Sequence, residues 1–278
     1  MHTIRLPQEQ LSEFTQLFSG AQRINAKNEY EYGRYKIDGL TMIIYTSGKV
    51  VFSDMPPGSI RERIIGFLVE RDPFPGPVIG SDEAGKGESI GPMIVSAVLL
   101  RTPEDRALAR FNGAMDSKEL SAVQLSEVSK RMKDYPHAVR IMPPSDFNVR
   151  FNAGNLNELL IDMHLSAIES LLKKVDNSEK CTIIIDKFCG RKHEHELESK
   201  LHSINENSDI TITTKGERFE AVAAASILAK SEYEKWLDDY SHSHKIDVRS
   251  LTLSQIRSHK NKEEFCKLAY LAGRKGDG

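Results

Sequence analysis

Val78-Ile79-Gly80-Ser81-Asp82-Glu83-Ala84-Gly85-Lys86-Gly87-Glu88 runs from an apolar stretch straight into two adjacent carboxylates, then into two glycines with a lysine between them. Carboxylates at a strand end can hold hard cations such as Mg²⁺, which prefer oxygen ligands. Glycines beside them let a backbone approach a ligand, because no Cβ intervenes. A surface turn is the plain competing reading, since Asp, Gly and Lys are ordinary turn residues. Gly80 to Gly87 is also one residue short of a phosphate-binding loop of form G-x-x-x-x-G-K-[ST]. That reading fails on chemistry. Gly87 has no hydroxyl for Mg²⁺, and Asp82 and Glu83 would repel the phosphate they should cradle. Gly91-Pro92 also interrupts the helix such a loop requires. Met93 to Leu100 instead predicts a second strand.

Working outward, Arg71-Asp72-Pro73-Phe74-Pro75-Gly76-Pro77 is a stiff connector, with three prolines and one glycine in seven residues. It divides a small α+β unit, residues 1–71, from a larger α/β unit, residues 78–278. In the small unit the spacing predicts a helix over 11–18, strands over 35–40, 41–45 and 50–52, and a helix over 60–69. In the large unit Ser121 to Met132 reads as a helix capped by Ser121. His137 to Met142 reads as a strand, and Asn155 to Lys173 as a long amphipathic helix. Cys181-Thr182-Ile183-Ile184-Ile185 is a β-branched run suited to a buried central strand, and it ends in Asp186. Ile210 to Thr214 is a further strand, leading into Lys215-Gly216-Glu217. Ala221 to Lys230 is a helix whose alanines allow close approach.

Three predicted strands therefore terminate in acids: Asp82 with Glu83, Asp186, and Glu217. Ligands of α/β sheets gather at strand ends. Four carboxylates brought together repel unless a cation or a function justifies them. For Glu217 the rival reading is a favourable charge at the start of the Ala221 helix.

These residues resemble a known family. Gly80-Ser81-Asp82-Glu83-Ala84-Gly85-Lys86-Gly87 with Gly91-Pro92 resembles the opening motif of type 2 ribonucleases H. Asp116-Ser117-Lys118-Glu119-Leu120-Ser121 resembles their D-S-K-x-L-S segment. Asp186 falls at their third acidic position, and Lys215-Gly216-Glu217 with Val222 to Lys230 resembles the last acid and its Ala-rich helix. Within that group the chain is similar to ribonucleases HIII. It has Lys86 between the glycines, Asn155-Leu156-Asn157 opening the long helix, and Glu rather than Asp at the last acid. Its N-terminal unit, with Tyr45 to Phe52, is similar to their substrate-binding domain, which has the fold of a TATA-box-binding protein. Two departures stand out. The loop from Glu217 to Ser226 is one residue shorter than usual, and Ser89-Ile90 replaces a bulky aromatic pair.

The resemblance implies a ribonuclease H-like catalytic domain with a central mixed sheet flanked by helices. It implies hydrolysis of the RNA strand of RNA/DNA hybrids. Asp82, Glu83, Asp186 and Glu217 would hold two Mg²⁺ ions about 4 Å apart, with Mn²⁺ as a substitute. Gly85, Lys86 and Gly87 would meet the ribose 2′-hydroxyl and phosphate. Ser117, Lys118, Asn155 and Asn157 would add contacts, and Tyr35, Tyr45 and Lys49 would grip the duplex. A monomer is the family expectation. A duplex-binding protein without turnover is the alternative, and a phosphatase built on the degenerate loop is a remote third.

Composition agrees with a soluble globular chain: 278 residues, 39% hydrophobic, 28% charged, net charge −2. No apolar run approaches the ~20 residues that cross a bilayer. The three cysteines and the absence of a secretory pattern at Met1 to Pro7 point to a reducing cytoplasm. From Ser241 onward eight Lys or Arg face four Asp or Glu, a mild basic bias. Arg191 to Glu196, with His193 and His195, reads as a solvated helix start rather than a zinc site. Tyr233 and Trp236 read as helix packing residues rather than platforms for base stacking.

Overall fold

The computed structural model describes residues 1–115, 117–151, 155–176 and 179–271. Asp116 of the D-S-K segment lies outside them, as does the chain after Leu271.

The first fifty residues build an antiparallel sheet in the order β1-β5-β4-β3-β2: β1 (His2–Arg5), β2 (Gln22–Ile24), β3 (Glu31–Ile37), β4 (Leu40–Tyr45) and β5 (Lys49–Phe52). Two helices cover one face, α1 (Leu11–Gln16) and α2 (Gly58–Glu70). Strand alternation decides which side chains they bury. Ile37, Met42, Ile44, Val50 and Phe52 point inward, against Phe14, Ile64 and Phe67. Tyr32 and Lys36 point out. The expected strand over 35–40 is broken by a turn. Asp38 and Gly39 have φ of 45° and 82° and join β3 to β4 at the Ile37–Leu40 pairing. Asp-Gly is a strong signal for a tight hairpin, so the turn was readable.

The second sheet has the order β10-β9-β6-β7-β8, from β6 (Val78–Ala84), β7 (Met93–Leu100), β8 (His137–Met142), β9 (Thr182–Asp186) and β10 (Asp209–Thr213). β6, β7 and β8 run antiparallel in turn, while β9 is parallel to both β6 and β10. β7 is buried at every position, because helices cover both faces. On one face α6 (Leu156–Leu172) lays Leu160, Met163, Ala167 and Leu171 over Ile79, Val95, Ile183 and Ile185. On the other, α8 (Glu220–His244) packs with α4 (Ala122–Met132) against Val78, Val98 and Ile184. The approach of α8 is at backbone contact. A Cβ on Gly80 would lie 2.1 Å from the Ala221 carbonyl carbon.

Among the helices that escaped the sequence reading are α3 (Pro103–Phe111) and α5 (Pro144–Phe151). Pro103 at the first turn and the Thr102–Asp105 capping box mark the start of α3 in retrospect. α3 matters to both sheets. Its Ala107 and Phe111 complete the core under the N-terminal sheet, so residues 1–71 do not close that core alone. Its Arg106 is almost fully buried. It pairs with Asp72 at 2.7 and 3.0 Å and donates to the carbonyls of Phe74 and Gly76 at 2.6 and 3.0 Å. The proline-rich connector is thereby fixed to α3.

α8 runs well past Lys230, because Tyr233, Trp236, Leu237 and Tyr240 keep helical spacing through a polar stretch. That second half carries the C-terminal segments α9 (Leu253–Ser258) and α10 (Lys262–Phe265), in a cluster with Val248, Ile256, Phe265 and Leu271. α7 (Arg191–Ile204) fully buries only Leu197 and Leu201, and its first two residues are exposed.

If backbone contact at Gly80 sets the seat of α8, Gly80→Ala should cost about 3 kcal/mol or leave the chain unfolded, since overpacking against backbone cannot relax cheaply. Urea unfolding monitored by circular dichroism would show it, and an unshifted midpoint would contradict it.

Candidate active site

β6 and β9 are parallel neighbours, and their last paired residues are Ser81 and Ile185. One step further on each strand stands an acid, Asp82 and Asp186. Neighbouring strands lie about 4.8 Å apart, so the register itself places these two carboxylates side by side. Both remain within their strands, which end at Ala84 and Asp186.

Successive side chains leave a strand on opposite faces, and β6 shows the consequence. Gly80 and Asp82 face α8. Ser226 of that helix hydrogen-bonds the Asp82 carboxylate and lies 3.0 Å from the Ser117 hydroxyl. Ser81 and Glu83 face α6. The Ser81 hydroxyl sits 2.8 Å from His164 Nδ1, and Glu83 Oε2 lies 3.6 Å from His164 Nε2, beyond hydrogen-bond range. His164 is fully buried and stacked on Phe188 at 4.5 Å. Ser226 and His164 carry no role in the sequence reading. The signal for each was a lone polar residue on an apolar helix face.

Asp186 accepts a hydrogen bond from the Gly216 amide at 2.7 Å. A Cβ on Gly216 would stand 3.0 Å from that carboxylate oxygen, a tight fit that glycine avoids. Lys215, just before it, adopts the left-handed conformation with φ of 58°. Glu217 follows, on the turn that leads into α8, near enough to Asp186 to act on it electrostatically.

Burial pushes the Asp82 carboxyl up to about 8, and the adjacent negative charge of Glu83 adds to it. Ser226 and the Glu83 amide oppose the shift, and Asp186 reinforces it. Asp186 is raised too, first by burial, then against the Gly216 amide by the charges of Glu217 and Glu83. The four acids are thus one electrostatic group. They are not a preformed cage. Among the described residues no three Asp, Glu, His or Cys side chains stand at the spacing that shares one ion. Three of the acids have separate partners: Ser226 for Asp82, Gly216 for Asp186, and Lys86 for Glu83 at 3.6 Å. Lys86 also donates to the Phe188 carbonyl. The group nonetheless fits a hard divalent cation. Its donors are all oxygens, and Glu83 Oε2 is buried with no hydrogen-bond partner.

The other expected contacts sort clearly. Gly85 has φ of 80°, and a Cβ there would meet the Pro92 carbonyl at 2.2 Å. Gly87 is exposed, with nothing within 4 Å of where a Cβ would be. Lys118 is exposed and acts electrostatically on Asp186, whereas the Ser117 side chain is buried against Ser226. Asn155 caps α6 by accepting from the Glu158 amide, and Asn157 is half-buried in the first turn. Tyr45 and Lys49 are half-exposed on the outer face of the N-terminal sheet. Tyr35 is not available there. It lies on the inner face within the core, because Tyr32, Arg34 and Lys36 take the opposite side of β3. A cleft of about 640 Å³ separates the two sheets, lined in part by Arg5, Ser47, Arg71, Lys215, Glu217 and Arg218. Of the four acids, Glu217 borders it.

The family model described as Ribonuclease HII matches residues 79–267. A ribonuclease HIII of Streptococcus thermophilus is 32% identical over 224 residues, covering 77% of this chain and 74% of the relative. The chain belongs to the ribonuclease HIII family. A ribonuclease HIII of Oceanobacillus iheyensis is 28% identical over 236 residues, covering 77% and 76%. Among solved structures, Bst-RNase HIII in complex with Mn²⁺ superposes with a TM-score of 0.62 at 22% identity, over 96% of this chain and 95% of that one. The ribonuclease H-like fold expected from the motifs is therefore shown, and the chain is a ribonuclease H-type enzyme.

The raised Asp82 carboxyl fixes a pH dependence. Between the ordinary value of 3.8 and about 8 the folded chain holds a proton that the unfolded chain has released. Stability in EDTA should therefore fall as pH rises through that window and level off above it. Asp82→Asn should flatten the curve and raise the melting temperature by several degrees at pH 8. Thermal unfolding from pH 5 to 9 tests this, and parallel curves for the two proteins would contradict it.

Proposed function

We propose that this chain cleaves the RNA strand of RNA/DNA hybrids endonucleolytically, leaving 3′-hydroxyl and 5′-phosphate ends, with divalent cations at Asp82, Glu83, Asp186 and Glu217. The observation that carries it is the register of β6 and β9, which sets Asp82 beside Asp186 within reach of the other two acids. Two bound Mg²⁺ or Mn²⁺ ions would supply an activated water and stabilise the leaving 3′ oxygen in an in-line displacement.

The chain's own residues do the rest. The Ser226 hydroxyl and the Gly216 amide fix the carboxylates of Asp82 and Asp186, so that they need little reorganisation on binding a cation. Lys86 is positioned to leave Glu83 for a phosphate of the substrate, since its present contact of 3.6 Å is loose. The open space beside Gly87 admits a ribose against the main chain. There an amide can read the 2′-hydroxyl that separates RNA from DNA.

The N-terminal sheet, a unit like a TATA-box-binding protein, would grip the duplex with its outer face. Tyr32, Arg34, Lys36, Tyr45 and Lys49 stand on that face. This two-part grip works in a monomer. The chain has three free cysteines and no helix long and apolar enough to cross a membrane among the described residues, which suits a cytoplasmic setting.

A labelled RNA/DNA hybrid with Mg²⁺ tests the reading. The unaltered protein should cleave it, and Asp82→Asn should lose at least about a hundredfold in rate while still binding. Binding by both proteins with cleavage by neither, in Mg²⁺ and in Mn²⁺, would instead support the non-catalytic alternative.

For the grip, Lys36→Ala with Lys49→Ala should weaken hybrid binding at 0.1 M salt and lower the slope of log affinity against log salt by about 1 to 2, as lost phosphate contacts require. Fluorescence anisotropy across a salt series would reveal it. An unchanged slope would remove the N-terminal sheet from the substrate path.

A further inference from the structure

The loop from Gly85 to Pro92 is held from behind by the C-terminal end of the described chain. Ile90 pairs with Cys266 as an isolated bridge. The Gly91 amide donates to the Phe265 carbonyl at 2.8 Å, and the Lys267 amide to the Ser89 carbonyl at 2.7 Å. Side chains complete the hold. The Lys267 ammonium donates to the Gly91 carbonyl at 2.6 Å and lies 3.4 Å from that of Pro92. It does so with no exposed surface, at a desolvation cost that draws its pKa down to about 8. The Pro92 carbonyl is the group that packs directly against Gly85, so fixing it fixes Gly85. Tyr233 donates to the Ile90 carbonyl at 2.7 Å, and Tyr270 donates to the Lys86 carbonyl at 2.8 Å.

The last of these bonds has a directional effect. In a trans peptide the carbonyl of one residue and the amide of the next point to opposite sides. By drawing the Lys86 carbonyl toward the C-terminal segment, Tyr270 turns the Gly87 amide the other way. Gly87 itself is exposed, and a Cβ there would meet nothing within 4 Å. The Tyr270 ring is itself anchored, 5.9 Å from Phe147 of α5. Asn148, on the same helix, binds the Cys266 carbonyl at 2.9 Å and the Leu268 amide at 2.8 Å.

We propose that Tyr270 is a positioning residue for substrate: by holding the Lys86 carbonyl it aims the Gly87 amide at the sugar-phosphate chain of the RNA strand. This rests on the hybrid-cleaving reading given above. The basic C-terminal segment then serves as a strap that presets the glycine loop. It need not touch nucleic acid to affect binding.

Tyr270→Phe removes the one hydroxyl and keeps the ring. Tyr240→Phe is the control, since its hydroxyl bonds Glu264 within the same cluster and not the loop. Two readouts are needed, KM against kcat on a hybrid and hydrogen exchange of the peptide spanning residues 85–90. Tyr270→Phe should raise KM about five- to tenfold, with a smaller change in kcat, as expected for one lost hydrogen bond. It should also speed exchange in that peptide severalfold, with the melting temperature nearly unchanged. Tyr240→Phe should move neither readout. Lys267→Met, which strips the donors from the Gly91 and Pro92 carbonyls, should speed exchange in the same peptide. Unaltered exchange or unaltered KM in Tyr270→Phe would overturn the proposal. Absence of hybrid cleavage by the unaltered protein would instead remove the reading of function, and the exchange rates would still decide whether Tyr270 holds the loop.

Discussion

Parallel pairing of β6 with β9 is the constraint on which the rest of this molecule turns. Hydrogen bonding along Val78 to Ser81 and Thr182 to Ile185 leaves Asp82 and Asp186 no choice of neighbour. Two carboxylates forced together at the end of a buried sheet repel, and burial weakens the solvation that would otherwise screen them. Burial, then the charge of Glu83, and last that of Asp186 push the Asp82 carboxyl up to about 8. The fold sustains it with material from elsewhere: Ser226 from α8, the Gly216 amide from the turn before it, and apolar packing on both faces of the sheet. Strain of this kind is retained at sites whose proper occupant is positively charged.

The same pairing explains why α8 is so close. Asp82 can be reached by a hydroxyl on that helix because Gly80, two residues earlier on the same face, admits the helix backbone to contact. An alanine-rich surface from Ala221 to Ala225 makes the approach possible, and Ser226 is the first polar residue after it. Gly80, Ala221 and Ser226 thus belong to one device. On the opposite face His164 stands 3.6 Å from Glu83 without a hydrogen bond, buried and stacked on Phe188. The two acids of one dipeptide are therefore served by two different helices.

Most of this was legible in the sequence where local pattern and tertiary packing agree. The run from Cys181 to Asp186 announced a buried strand ending in an acid, and Ser121 and Asn155 announced the starts of α4 and α6. What was not legible depended on partners distant in the chain. Tyr35 alternates with Tyr32 and Lys36, and only the covering helices decide that it is the buried one. The alanine-rich pattern marks a helix only as far as Lys230, whereas the C-terminal segments that bury Leu237 and its neighbours lie downstream. Arg106 lies on a helix that the pattern did not reveal. Its partner Asp72 sits in the connector, 34 residues away. The acids themselves could be named, but the ion pair of Glu83 with Lys86 and the hydrogen bonds from Ser226 and Gly216 could not.

The account stands or falls on whether these carboxylates share cations. Anomalous diffraction from crystals soaked in Mn²⁺ measures this directly. The account predicts manganese within about 2 to 2.5 Å of an Asp82 oxygen, with oxygens of Asp186 and Glu83 completing the sites after Glu83 leaves Lys86. Manganese bound elsewhere, or Asp82 and Asp186 carboxylates held more than about 10 Å apart at saturating metal, would contradict it, since paired ions about 4 Å apart cannot be ligated across that gap.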